Sequence, residues 1–293
     1  MTGISMRAAV PWAAAFLLAA AACGGDGSGA RGHTSLVAAG DISSCYWSGD
    51  EATARLIDDI PGVVVPLGDV VYQRGTEREF RECYAPTWGR HRDRSRPTIG
   101  NHEWRTRRGE PYFRYFGERA GPAGKGWYSY ELDGWHVIVL NSNLPIVDGS
   151  EQMEWLREDL KDNEDTRCTL AYFHHPVFSS GDHGGTEKLR ELWEVLQDGG
   201  VDVVLSGHDH NYERFAPQNA RARADRRGIR QFVVGTGGAP SYRVPPERQP
   251  NSQAFGNDVR GVLRMDLQED GYAWEFVPIP GRNFTDAGRA ECR

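Results

Sequence analysis

The stretch Val63-Val64-Val65-Pro66-Leu67-Gly68-Asp69-Val70-Val71-Tyr72 is an apolar run that stops at Gly-Asp and ends on a tyrosine. Its first five residues read as a buried strand: the run is short and rich in β-branched side chains. A carboxylate directly after such a strand stands where α/β sheets build their sites, just beyond the carboxyl ends of the strands. Asp69 and Tyr72, three apart, can turn toward one point.

Working outward, the arrangement recurs. Residues 36–40 read as a strand ending at Asp41. The short segment 97–99 ends at Gly100-Asn101-His102-Glu103. Residues 169–173 lead to His174-His175-Pro176, and 201–205 to Ser206-Gly207-His208-Asp209-His210. His208 and His210, two apart on extended backbone, share a side. Any one of these pieces reads most simply as a turn residue, a cap or a satisfied histidine. Five strand ends offering Asp, Asp, Asn and three His to one place read as a site. Further strands are predicted over 135–141 and 231–234, and helices over 50–60, 150–162 and 186–198. In the second helix Met153, Leu156 and Leu160 form one face and Ser150 can cap the start. The alternation implies an α/β core with parallel pairing. The helix-poor region 231–278 implies antiparallel strands added late, in a mixed sheet or two packed sheets.

At 293 residues the chain can bury a substantial core, and a net charge of −7 argues against nucleic acid as a stable partner. Arginines cluster between Arg74 and Arg108. They read either as attraction for an anionic substrate or, more ordinarily, as solvated surface. The N-terminus reads as a targeting segment. A basic start precedes an apolar run over 10–22, too short to span a membrane, then Ala20-Ala21-Ala22-Cys23 and a Gly/Ser-rich stretch. Small residues before a Cys resemble a bacterial lipobox. Residues 1–23 are therefore expected to be a signal peptide, 24–33 a linker and 34–293 the catalytic domain. Export as a surface lipoprotein or secreted protein follows, with any membrane association through an N-terminal lipid anchor. Four cysteines remain; they allow three pairings, or buried free thiols, and Cys45–Cys83 with Cys168–Cys292 is the favoured pairing. None has the spacing of a structural zinc site. His33, His91 and His136 match no motif and read as surface or packing residues. The nine Trp read as packing, and Thr236-Gly237-Gly238 as a pocket rim or a simple turn.

The ordered set Gly40-Asp41, Gly68-Asp69-x-x-Tyr72, Gly100-Asn101-His102-Glu103, His174 and Gly207-His208-x-His210 resembles the calcineurin-like metallophosphoesterase superfamily. Tyr72 narrows the resemblance to the purple acid phosphatase branch, and Tyr212-Glu213-Arg214 continues it. Two departures are Ile42-Ser43 after Asp41, where a Gly is frequent, and Ala171, where a Val is common. The resemblance implies two mixed β-sheets packed face to face and flanked by helices, a four-layer αββα sandwich. It implies two metal ions. Asp41, Asp69, Tyr72 and His210 would hold the first, and Asp69, Asn101, His174 and His208 the second, with Asp69 bridging. Two carboxylates and a phenolate suit Fe(III) at the first site; a shared carboxylate, an amide and two imidazoles suit Zn(II), Fe(II) or Mn(II) at the second. The implied activity is hydrolysis of phosphate monoesters on small phosphorylated substrates by a metal-activated hydroxide. Phosphodiester hydrolysis on a nucleotide or lipid head group is the alternative, and a non-catalytic binding lipoprotein the remote one. His102 is the first candidate for substrate contact or leaving-group protonation and His183 the second, with a plain loop histidine equally open for His183. His175 reads as a neighbour of the site or a packing residue.

Overall fold

The structure, a computed structural model, describes Met1, residues 34–243 and residues 246–293. The expected signal peptide and linker, and His33, lie outside the described residues.

Fourteen strands are found among the described residues. A five-stranded sheet contains β1 (Ser35–Ala39), β3 (Val63–Pro66), β12 (Gly261–Gln268), β13 (Gly271–Pro278) and β14 (Ala287–Glu291), in the order β14-β13-β12-β1-β3. A seven-stranded sheet contains β5 (Tyr128–Leu132), β6 (Trp135–Val139), β7 (Cys168–Tyr172), β8 (Val203–Ser206), β9 (Asn211–Phe215), β10 (Arg230–Val234) and β11 (Ser252–Asn257), in the order β11-β9-β10-β8-β7-β6-β5. The small strands β2 (Ser43–Ser44) and β4 (Val71–Tyr72) pair with each other. Both large sheets are mixed. β1 pairs parallel with β3 and antiparallel with β12. β6, β7, β8 and β10 run parallel, while β5, β9 and β11 join antiparallel.

The period-two pattern of the central strands explains the layering. Val137, Val139, Leu170, Tyr172, Val203, Leu205, Phe232 and Val234 share one core with Leu36, Ala38, Leu263 and Met265 of the other sheet. The alternate residues Ile138, Ala171, Val204 and Val233 face a second core. That core is closed by Met153, Leu156 and Leu160 of the helix Glu151–Asp162 and by Leu192, Trp193 and Leu196 of the helix Arg190–Asp198. Strands buried on both faces read as unbroken apolar runs, which is why they were legible. Ala54 and Ile57 of the helix Gly49–Asp59 join the first core. The Ser150 side chain accepts from the Met153 amide, as a cap should.

Some boundaries moved. The strand expected from Val201 begins at Val203, because Asp202 turns inward to accept from the Thr169 amide at 3.0 Å. The helix expected from Thr186 opens with a tight turn, Glu187–Leu189, before Arg190. β5 had no distinct reading in the sequence, although its hairpin is signalled by Asp133-Gly134, both left-handed at φ 53° and 81°, the conformation two-residue β-turns demand. The late strands pair antiparallel as expected, β12 with β13 and both β10 and β11 with β9, except that β10 also runs parallel to β8. Cys45 is bonded to Cys83 and Cys168 to Cys292. No helix among the described residues is long and apolar enough to cross a membrane.

Candidate metal centre

Sequence positions far apart meet because parallel strands end on one side. Asp41 follows β1, Asp69 follows β3, His174 follows β7 and His208 follows β8. Asp41, Asp69 and His208 all adopt left-handed backbone, at φ 60°, 47° and 73°. Such strain in non-glycine residues persists only where surrounding structure enforces it, and it gathers at functional sites. Two glycines make room. A Cβ on Gly68 would lie 2.5 Å from the His174 ring, and one on Gly100 would lie 2.1 Å from the Asp69 amide and Oδ1. Gly100→Ala is therefore expected to displace Asp69 and to cost about 1–3 kcal/mol of stability, measured by thermal unfolding. Unchanged stability and activity in that variant would contradict the packing.

All seven expected donors are brought together. The Tyr72 hydroxyl donates to Asp41 Oδ1 at 2.8 Å and lies 3.1 Å from His210 Nε2. His210 Nε2 stands 3.4 Å from Asp41 Oδ1, and His174 Nε2 stands 3.3 Å from Asp69 Oδ2. Asn101 Oδ1 is 3.1 Å from His174 Nε2. The His208 amide donates to Asp41 Oδ2 at 2.8 Å, and its ring lies 5.1 Å from that of His174. Donor atoms of Asp41, Asp69 and His174 fall within 4.8 Å of one another, as do those of His174, His175 and His208.

The residues suit cations. His174 Nδ1 donates to the Leu67 carbonyl at 2.8 Å and His210 Nδ1 to the Pro240 carbonyl at 2.6 Å. Each bond fixes the tautomer and leaves Nε2 aimed at the cage, the usual outer support of a ligating imidazole. Burial would lower His174, but the Asp69 carboxylate outweighs it and pushes the imidazole up to about 9. Burial, reinforced by the Asp41 and Asp69 charges, pushes the Tyr72 phenol well above its ordinary range. Burial, with the charge of His174, pushes His208 down. Without a cation, protons on His174 and Tyr72 answer the two carboxylates; a bound cation would displace both.

Around the cage, buried carboxylates hold the loops. Glu103 accepts from the Val71 and Gly100 amides at 3.1 and 3.0 Å, and burial followed by the Asp69 charge pushes it up to about 8. Asp209 accepts from Ser179 Oγ and from the His183 amide. Glu213 accepts from the Ser180 amide and hydroxyl, at 2.7 and 2.6 Å. Tyr212, Arg214 and Trp274 all bond to Asp286, joining β9 to β13. The Tyr212-Glu213-Arg214 run is thus a clamp and a loop anchor.

His102 donates Nδ1–H to the Gln73 carbonyl at 2.8 Å, and its Nε2 lies 3.8 Å from Asp69 Oδ2. Its ring packs on Tyr72 at 4.3 Å. His183 is exposed and stacks on His208 at 4.5 Å. His175 bonds Ser142 Oγ at 2.7 Å and lies 4.5 Å from the His208 ring; burial, then the His174 charge, lowers it to about 3. His91 pairs with Asp58 and His136 with Asp159, each at 2.9 Å, away from the cage. Gly237 and Gly238 pack against Gly40 and Ile42, and the Ala239 amide donates to the Asp41 carbonyl, so that turn braces the end of β1. Tyr242, stacked on His210 at 4.1 Å, went unnoticed in the sequence. It follows no strand-end motif, and nothing local marks it.

A two-sheet sandwich with carboxylates, a phenol, an amide and imidazoles at its strand ends is the frame of a metallophosphoesterase. The calcineurin-like phosphoesterase family model matches residues 34–212, and the chain belongs to that family. Purple acid phosphatase 18 of Arabidopsis thaliana is 30% identical over 281 residues, covering 83% of this chain and 61% of the relative. The phosphoenolpyruvate phosphatase of Allium cepa is 30% identical over 223 residues, covering 64% of this chain and 46% of the relative. The chain spans about half the length of the curated relatives it matches. Among solved structures, purple acid phosphatase PPD1 from yellow lupin (Lupinus luteus) seeds superposes with a TM-score of 0.73 at 18% identity, over 89% of this chain and 54% of that one. GAP50, the anchor in the inner membrane complex of Plasmodium, superposes at 0.69 and 15% identity, over 89% of each chain. These two likenesses concern the fold.

Proposed function

We propose that the protein hydrolyses phosphate monoesters with two metal ions held by Asp41, Asp69, Tyr72, Asn101, His174, His208 and His210. The convergence of all seven side chains on one buried cage carries this reading, since a binding relic would be free to lose some of them. When bound, the pair of ions would lower the pKa of a water and neutralise charge on the phosphoryl oxygens. The chain's own part is positional. Asp69, within 4.8 Å of donor atoms of both Asp41 and His174, would bridge the two halves of the cage. The Leu67 and Pro240 carbonyls hold His174 and His210 in the ligating tautomer. His102, with Nδ1 committed to Gln73, presents Nε2 toward the cage, where a proton held there could pass to the departing oxygen. His183, stacked on His208, would touch substrate rather than hold metal.

Two carboxylates and a phenolate favour Fe(III) at the Asp41 half; the Asn101, His174 and His208 half favours Zn(II), Fe(II) or Mn(II). The leader-like N-terminal sequence and two disulfides support export, to the cell surface or beyond. The test is metal analysis of the purified protein with pH–rate profiles on a monoester and a diester. Two ions per chain and a preference for the monoester are expected; no metal-dependent hydrolysis of either ester would end the reading. In iron-loaded protein the Tyr72 phenolate should give a visible absorption band that is lost in Tyr72→Phe. A band that survives the substitution would remove Tyr72 from the ligand set.

A further inference from the structure

Asp209 stands in sequence between two donors of the cage, His208 and His210, yet it gives its carboxylate to another loop. The carboxylate is fully buried. Its Oδ1 accepts from the His183 amide at 2.9 Å, and its Oδ2 accepts from Ser179 Oγ. Ser179 Oγ in turn accepts from the Gly181 amide at 2.9 Å. Residues 179–183 therefore wrap this one group. Position 181 must be glycine for them to do so, since a Cβ there would lie 2.3 Å from Asp209 Cγ. A buried carboxylate is tolerated only when hydrogen bonds answer it, and bonds to a charged acceptor are the stronger kind.

The two ends of this contact differ in firmness. Asp209 is locked into a tight turn: its amide donates to the Gly207 carbonyl at 2.9 Å, and its carbonyl accepts from the Asn211 amide at 2.7 Å. His183 is exposed, and its ring makes no hydrogen bond among the described residues. The ring only stacks on His208 at 4.5 Å and stands edge-on to Tyr242 at 4.9 Å. The residue after it, Gly184, has φ 70° and open space where a Cβ would stand, so it restrains little. The place of His183 is thus set from the side of Asp209.

We infer that Asp209 is a positioning residue for the hydrolytic reaction: by holding the His183 backbone it keeps that imidazole stacked on His208, in register with the donors on either side of Asp209. The use of the ring on substrate rests on the monoesterase reading. The coupling between Asp209 and His183 rests on the geometry alone. Asp209 touches neither substrate nor metal in this account and acts only through His183.

The test has two arms on the full chain. In metal-free protein with labelled histidine, the His183 ring signal is identified by NMR as the one lost in His183→Ala. Ring currents from His208 and Tyr242 should displace it from the position of a free histidine. It should move to that position in Asp209→Ala and stay in Asp209→Asn, whose amide oxygen can still accept from the His183 amide. In metal-loaded protein, kcat/KM for phenyl phosphate is expected to fall about tenfold or more in His183→Ala, within the range that misplacement of a positioned group costs. Asp209→Ala should fall as far with two ions still bound, the double variant no further, and Asp209→Asn should recover most of the loss. Should Asp209→Ala not fold, Gly181→Ala, which pushes the loop off an intact carboxylate, carries the same expectations. A His183 signal that stays in place, losses that multiply in the double variant, or a His183→Ala enzyme of full activity overturns the inference. If no ester is hydrolysed at all, the NMR arm still decides the coupling, and only the hydrolytic reading falls.

Discussion

Asp69→Ala is expected to abolish hydrolysis, lowering kcat on the order of a thousandfold or more, and to bring bound metal below two ions per chain. Asp69 Oδ2 lies 3.3 Å from His174 Nε2, and its Oδ1 accepts from the His102 amide at 2.8 Å. Burial would raise this carboxyl, yet the His174 charge outweighs it and holds it below the usual range. In the proposed ligand set, removing it takes away the carboxylate that would bridge both halves of the cage. It also leaves His174 buried without its counter-charge, which should lower that imidazole's affinity for protons. Metal content and steady-state kinetics on one preparation decide the matter. Full activity with two ions bound would refute the bridging role.

The second large effect concerns stability. Cys168 opens β7 and Cys292 lies one residue from the C-terminal Arg293, 124 positions away in sequence. The bridge ties the central sheet to the end of the chain, next to β14 of the other sheet. Closing so long a loop removes much freedom from the unfolded chain, and loss of such a bond costs about 2–5 kcal/mol. The paired replacement Cys168→Ser with Cys292→Ser should lower the unfolding temperature by about 4–9 °C. The cage lies at the other ends of these strands, so two-ion binding should survive at low temperature. A melting temperature within a degree of wild type would show that packing, rather than the crosslink, holds the two sheets there.

Much of the site was legible because its elements obey strong local rules. Strands buried on both faces carry unbroken Val, Leu and Ile, and the polar residues that follow them stand out against that background. Asp41, Asp69, Asn101 and the strand-end histidines stood out this way; Tyr72 as a ligand, His174 rather than His175 and a role for His102 came from the resemblance to the family. The supporting carboxylates were visible as letters but not as functions. Glu103, Asp209 and Glu213 each satisfy amides from segments remote in sequence, and no local pattern encodes a remote partner. Asp286, the centre of the Tyr212, Arg214 and Trp274 contacts, sits in a segment without periodicity. His175 illustrates the same limit. Its neighbour His174 follows the strand into the cage, yet the turn brings both rings near His208, which adjacency alone does not foretell.

By itself the sequence determined the α/β class and the polar residues at the strand ends, because hydrophobic period and turn chemistry act over a few residues; the resemblance to the family assembled those residues into a cage. The tertiary structure decided which imidazole nitrogen faces the cage, which backbone carbonyls hold it there and how the His183 ring comes to lie on His208. Those outcomes depend on hydrogen bonds and ring contacts between segments as far apart as Leu67 and His174, and such pairings exist only once both sheets have packed.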